Sequence, residues 1–241
     1  MGRVFDQYLQ RTFVMKILFL GDVHGEWDAA NDVIERARQA YPGIDRIIQV
    51  GDLGDGWGGP SDRWPVKNAD DLPIHWCDGN HENFDLIDAA ILNPRLTYQP
   101  RGSILDIDGF RIMFMGGATS IDKMHRTPFI DWWPQEDITY GQVAVALQQQ
   151  GPINMIVSHD RPESIPLPKG MRNIDDGKSN RLCLEALLEE FEPKWWAHGH
   201  YHKMSHGKVG ELEYTCCPII DTRRKNYVVF DGKQFICSWW K

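Results

Sequence analysis

The 241-residue chain reads as an α/β protein, and three observations lead there. Short apolar runs ending in glycine plus an acid or amide recur at 15–22, 45–52 and 72–80. A stretch of helical periodicity separates the first two. No internal repeat, low-complexity tract or linker-like stretch interrupts the series. Apolar runs of this length without polar alternation suit buried strands. Joining them through a helix implies parallel pairing with right-handed crossovers.

Each element has its own signal. "MKILFLGD" (15–22) is a strand feeding a Gly-Asp loop. Residues 26–40 carry Ala29, Ala30, Val33, Ile34 and Ala37 at helical spacing. "DRIIQVGD" (45–52) repeats the strand pattern, and a Gly- and Trp-rich loop (53–65) leads to "LPIHWCDGN" (72–80). "SILDIDGFRIMFMGG" is a hairpin turning at Asp108-Gly109, because Asp-Gly tolerates the positive φ angles of a tight turn. The segment 116–137 is too irregular for a core element, and long irregular segments are often functional; Arg126 and Trp132/Trp133 there could contact phosphate or base. Residues 138–150 form a helix, "INMIVSHD" a strand, and the Pro- and Gly-rich 161–180 a flap in which Lys169 and Arg172 could touch substrate. A helix over 180–191 and the strand "PKWWAHGH" follow. The tail (208–238) reads as strands, with a second hairpin at Asp231-Gly232. Residues 1–14 precede the first natural strand as a loosely held extension, leaving 15–241 as one domain.

Composition narrows the class. Apolar residues make up 42 % of the chain and charged ones 25 %, as in ordinary globular proteins. No run approaches the ~20 apolar residues of a membrane span, and the N-terminus lacks a signal peptide's cleavage region. Five cysteines without a CxxC pair suit a reducing, cytoplasmic setting rather than a disulfide framework. A net charge of −8 argues against broad binding to nucleic-acid backbone, though a metal site can reverse the field locally.

The chemistry is concentrated at strand ends, where open α/β sheets bind ligands. There the chain places "GDVHG" (21–25), "GDLGD" (51–55), "GNHE" (79–82), "SHD" (158–160) and "GHYH" (199–202). Gly-Asp after one strand is ordinary turn chemistry. Together the five bring aspartates, an asparagine and several histidines to one sheet edge. Carboxylate, amide and imidazole ligands suit divalent Mn, Fe, Zn or Ni, and two adjacent ions need a bridging carboxylate. "WWAHGHYH" (195–202) adds histidines at alternate positions, which would share one face if extended or be spread by a turn at Gly199.

In kind and order these motifs resemble the calcineurin-like metallophosphoesterases. That resemblance implies a four-layer α-β-β-α sandwich of two mixed sheets flanked by helices. It implies two divalent ions, manganese first, with iron, zinc or nickel as alternatives. One ion would be held by Asp22, His24 and His202, the other by Asn80, His159 and His200, with Asp52 bridging. His198 falls outside the pattern. His81 matches the family's non-ligand histidine near the leaving-group oxygen, and Asp55 the aspartate that orients it in protein phosphatases. The implied reaction is in-line attack by a metal-bridging hydroxide, with His81 as general acid.

Two departures bear on substrate. Serine/threonine phosphatases carry arginines where this chain has Gly56 and Asp78. Losing both removes a clamp suited to dianionic monoesters, which tilts the expectation to phosphodiesters of nucleotide, cyclic or nucleic-acid type. "SHDRP" and "GDVHGEWD" also resemble RNA lariat debranching enzymes, so nucleotide or RNA is a possible partner. The alternatives are a phosphomonoesterase or protein phosphatase, and a non-catalytic scaffold of the same fold. Oligomeric state has no signal in the sequence.

Overall fold

The computed structural model describes residues 15–54, 66–67, 69, 71–87, 96–172, 176–221, 223 and 226–238. Helix α1 (Trp27–Ala40) lies between strands β1 (Ile17–Leu20) and β2 (Arg46–Gln49), and helix α2 (Phe84–Ile87) between β3 (Ile74–Trp76) and β4 (Leu96–Tyr98). The chain continues with β5 (Ile104–Ile107), β6 (Phe110–Met115), α3 (Tyr140–Ala146), β7 (Met155–Ser158), α4 (Lys178–Phe191) and β8 (Trp195–His198). It closes with β9 (Ser205–Val209), β10 (Leu212–Cys216), β11 (Val228–Phe230) and β12 (Phe235–Cys237). One sheet runs β12-β11-β1-β2-β3-β4 and the other β5-β6-β7-β8-β10-β9. In each, four neighbouring strands are parallel and the added ones antiparallel, so both sheets are mixed.

Strand alternation generates the layers. Ile17 and Phe19 of β1 face the second sheet and meet Phe114, Val157, Ala197 and Phe230 in a dry middle layer. Leu18 and Leu20 point the other way, onto Ala30, Val33, Ile34 and Ala37 of α1. On the second sheet Met113, Ile156 and Trp196 turn outward onto Val143 of α3 and Leu184 and Leu187 of α4. The result is the four-layer α-β-β-α sandwich.

Local chemistry sets the ends. Helix α3 begins where Thr139 and Gln142 form a reciprocal capping box, and it stops at Ala146, short of the expected 138–150. Helix α4 starts two residues before the expected 180, directly after Gly177 at φ 78°. The Asp108-Gly109 turn has both residues at positive φ (50° and 88°), as a two-residue hairpin requires. Asp231-Gly232 also turns a hairpin, with the Asp231 carboxylate accepting from the Lys233 and Gln234 N–H groups. Strands β4 and β9 and the short α2 had no separate expectation. Among the described residues no helix is long and apolar enough to cross a membrane.

Candidate active site

The loops after β1, β2 and β3 carry Asp22, Asp52 and Asn80, and those after β7 and β8 carry His159, His200 and His202. Four of the expected ligands hold left-handed backbone: His24 (φ 46°), Asp52 (56°), His200 (68°) and His202 (56°). Such angles cost roughly 1–3 kcal/mol each and persist only where the surroundings fix them. Here the Asp52 carbonyl accepts from both Val23 N–H and His24 N–H at 2.9 and 3.0 Å. Glycine is needed close by for a steric reason. A Cβ on Gly79 would run into Asp52 Oδ1, and one on Gly199 into Asp22 Oδ1. The turn at Gly199 therefore spreads the three histidines: His200 and His202 enter the site, and His198 ends β8 fully buried behind it.

Ligand atoms of Asp22, His24, Asp52 and His202 all lie within 4.8 Å of one another. His24 Nε2 stands 3.2 Å from His202 Nε2, and His202 Nε2 is 3.1 Å from Asp22 Oδ2. Apart from this charged contact, Asp22 Oδ2 is buried without a hydrogen-bond partner. An orphaned carboxylate oxygen facing two imidazole nitrogens is the donor set of a divalent cation, and the residues fit one.

The second group meets the first at Asp52. Its Oδ2 lies 3.6 Å from His24 Nε2 and 3.3 Å from His159 Nε2, while Oδ1 accepts the His81 backbone N–H at 2.9 Å. His159 Nε2 also faces Asn80 Oδ1 at 3.2 Å, and the His200 ring packs edge-on to it. The Val50 carbonyl accepts the Nδ1 proton of His159 at 2.8 Å, which leaves Nε2 toward the site. Burial opposes charge on both partners, yet Asp52 pushes His159 up to about 10, and His159 and His81 hold the Asp52 carboxyl well below its usual range.

Three carboxylates support the site, and none of them was expected in that role from the sequence. Buried Glu82 bridges two ligand loops, accepting from Leu53 N–H (2.7 Å) and Gly79 N–H (2.6 Å); burial pushes it up to about 8. Glu136 binds Ser120, which in turn holds Asn80. Asp78, where a phosphatase arginine was expected to be missing, is itself buried against Arg101 at 2.6 Å and Tyr98 at 2.9 Å. Only Glu82 had a motif around it.

A pocket of about 330 Å³ opens beside these groups, lined among others by His81, Ser120, Arg126, Leu167, Met171 and Arg172. Arg126 donates to His81 Nε2 at 3.3 Å and pairs with Asp122 at 2.9 Å. Burial pushes His81 down to about 4, so its ring is neutral with the proton on Nδ1. Trp132, Trp133 and Lys169 are not among the lining residues; Trp133 is buried and donates to Asp85 at 3.0 Å. Trp195 and Trp196 are core residues. Asp55, Gly56, Trp239 and Trp240 lie outside the described residues, as does the 1–14 segment.

Comparisons with known proteins bear on the fold and the family. No curated protein sequence matches the chain significantly. Among solved structures, TT1561 of Thermus thermophilus superposes with a TM-score of 0.65 at 14% identity, covering 93% of this chain and 98% of its own. The phosphopantetheinyl hydrolase PptH of Mycobacterium tuberculosis gives 0.53 at 14% identity, covering 86% and 90%. GAP50 of Plasmodium, an anchor in the inner membrane complex, gives 0.52 at 12%, covering 92% and 83%. At these identities the likeness is one of fold. The family profile for calcineurin-like phosphoesterases, however, matches residues 15–204, spanning every motif from "GDVHG" to "GHYH". With that match and a clustered metal site at the strand ends, the chain belongs to the calcineurin-like phosphoesterases, metal-dependent hydrolases of phosphoesters.

Proposed function

We propose that the chain hydrolyses phosphodiesters with two divalent ions, manganese first among the candidates. The observation that carries this is Asp52: its Oδ2 faces His24 on one side and His159 on the other. One ion would take Asp22, His24 and His202, the second Asn80, His159 and His200, with Asp52 shared. When bound, the ions supply an activated water and neutralise charge at phosphorus.

The chain's own residues then do the rest. Asp22 and Asp52 hold the cationic pair, and the Val50 carbonyl fixes the His159 tautomer. Arg126 leaves His81 for a phosphoryl oxygen when substrate arrives, and the anion beside His81 favours its protonation. His81 then gives that proton to the departing oxygen. A diester is favoured because two of the pocket's guanidiniums are matched by carboxylates, Arg126 by Asp122 and Arg181 by Glu163, while Arg172 also lines the pocket. Asp78 is turned onto Arg101 and supplies no positive charge to the pocket. The substrate would be of nucleotide size, given a cavity of about 330 Å³. Cytoplasmic residence is supported by Cys77, Cys183, Cys216, Cys217 and Cys237, all unpaired.

The test is kcat/KM for bis-(4-nitrophenyl) phosphate and 2′,3′-cyclic nucleotides against 4-nitrophenyl phosphate, under one metal. The diesters should be faster; a clear monoester preference would return the chain to the phosphatase reading. A scaffold role is opposed by the completeness of the cluster, since ligand atoms of Asp22, His24, Asp52 and His202 lie within 4.8 Å of one another.

A further inference from the structure

An asparagine that ligates a metal must present its oxygen, because the amide NH2 end repels a cation. The two ends have nearly the same shape, and packing alone does not choose between them. At Asn80 the choice is made by hydrogen-bond direction. Ser120 Oγ has one hydrogen, and it goes to Glu136 Oε2 at 2.8 Å. Glu136 Oε1 accepts the Ser120 backbone N–H at 2.7 Å, so both carboxylate oxygens are taken by the same residue. Ser120 Oγ is left with lone pairs only. It accepts from Asn80 Nδ2 at 3.0 Å, which turns Asn80 Oδ1 toward His159 Nε2 at 3.2 Å.

The relay is held from behind. Arg101 donates to the carbonyls of Gln135 (2.8 Å), Glu136 (3.0 Å) and Asp137 (2.8 Å). The same guanidinium grips Asp78, two residues before Asn80, at 2.6 Å. The Asp78 carbonyl accepts the Gly117 N–H at 2.9 Å. Both ends of the 116–137 segment are therefore fastened to the strand end that carries Asn80. Glu136 is fully buried and takes no part in the chemistry proposed above.

We propose that Glu136, acting through Ser120, is a positioning residue that fixes which end of the Asn80 carboxamide faces the second ion. This rests on the two-ion reading. It makes a specific claim about Glu136→Gln. If the Ser120 N–H keeps the amide oxygen, the new NH2 group falls on Ser120 Oγ. The hydroxyl must then swing round and donate to Asn80, favouring the amide with its NH2 toward the ion.

The experiment is a calorimetric titration of the ion-free full chain with Zn²⁺, with bound ions counted by elemental analysis. Wild type is compared with Ser120→Ala, Ser120→Thr, Glu136→Gln, Asn80→Ala and the double variant Asn80→Ala/Ser120→Ala. Wild type should take two ions. Ser120→Ala and Glu136→Gln should weaken one of them by roughly 10–100-fold, the usual effect of removing a group behind a ligand. That ion should be the one Asn80→Ala weakens, so the double variant should lose no more than Asn80→Ala alone. Ser120→Thr, which keeps the hydroxyl, should stay near wild type. Both ions weakened alike, or neither, would overturn the relay while leaving the two-ion centre standing. A wild type that takes one ion would overturn both. Should Glu136→Gln fail to fold, Ser120→Ala decides the matter.

Discussion

Both oxygens of Asp52 are committed before any ion arrives, Oδ1 to the His81 N–H and Oδ2 to the imidazoles of His24 and His159. Asp52→Asn removes the charge those imidazoles face while keeping the shape. It should abolish metal-dependent hydrolysis and leave the fold largely intact, as elemental analysis and circular dichroism would register. Near-normal activity with two ions bound would remove Asp52 from its shared position. His81 differs in kind, since it touches Asp52 through its backbone and Arg126 through its ring. His81→Ala should keep both ions and lose roughly 10²–10⁴-fold in rate on esters with alkoxide leaving groups. The loss should shrink for 4-nitrophenolate, which scarcely needs a proton. If Arg126→Ala shows that leaving-group dependence and His81→Ala does not, the guanidinium is the donor. The residues expected as ligands stand out in the sequence because each lies one to four residues after an apolar run. Ser120 and Glu136 do not, because they reach Asn80 from an irregular segment that no periodicity marks.

Strand β3 shows how an element away from the chemistry answers to pH. His75 is buried on it, and Gln99 Nε2, oriented by Ser103 through Oε1, faces its Nδ1 at 3.1 Å. Burial, with the Arg46 charge adding, pushes His75 from 6.5 down to about 4. Between those values the unfolded chain binds the extra proton, so stability rises with pH there. The contribution is complete above about 6.5 and is lost as pH falls toward 4. Lowering pH from 7 to 4 should therefore cost wild type about 3 kcal/mol more than His75→Gln. Urea unfolding of the two proteins across that range measures the difference; parallel curves would mean His75 titrates normally. At this scale the long apolar runs named their strands, and helix α1 fell within one residue of its expected start. Strand β4 escaped because three residues, "LTY", carry too little pattern. The expected α3 overran because the hydrogen bonds tighten to i+3 spacing just after Ala146, Gln148 N–H to the Val145 carbonyl and Gln149 N–H to that of Ala146, a change that apolar periodicity does not mark.

For the whole molecule, the partition of the proposed ligands matters most. Asp22, His24, Asp52 and Asn80 follow strands of one sheet; His159, His200 and His202 follow strands of the other. The five strand-end motifs pointed to the set, but the expected single sheet edge is corrected by the structure, where these residues divide between two sheets; local patterns do not say which strands pair. The sheets themselves are held apart by the dry layer of Phe19, Ile48, Phe114, Val157 and Phe230. Those side chains act as the spacer of a caliper whose jaws are the two ligand sets, and the cation reads the gap. An error of half an ångström in the spacer is small for a core, but large for coordination bonds tolerant to about 0.2 Å. Trimming the spacer, as in Phe114→Leu, should weaken ion binding more than an equally destabilising cut beneath the outer helices, such as Leu184→Ala. Comparing ion affinity with unfolding free energy for such pairs separates the two effects; equal losses would mean the gap is set elsewhere. If the caliper holds, this chain can lose its chemistry through a side chain that touches neither metal nor substrate, while it remains folded.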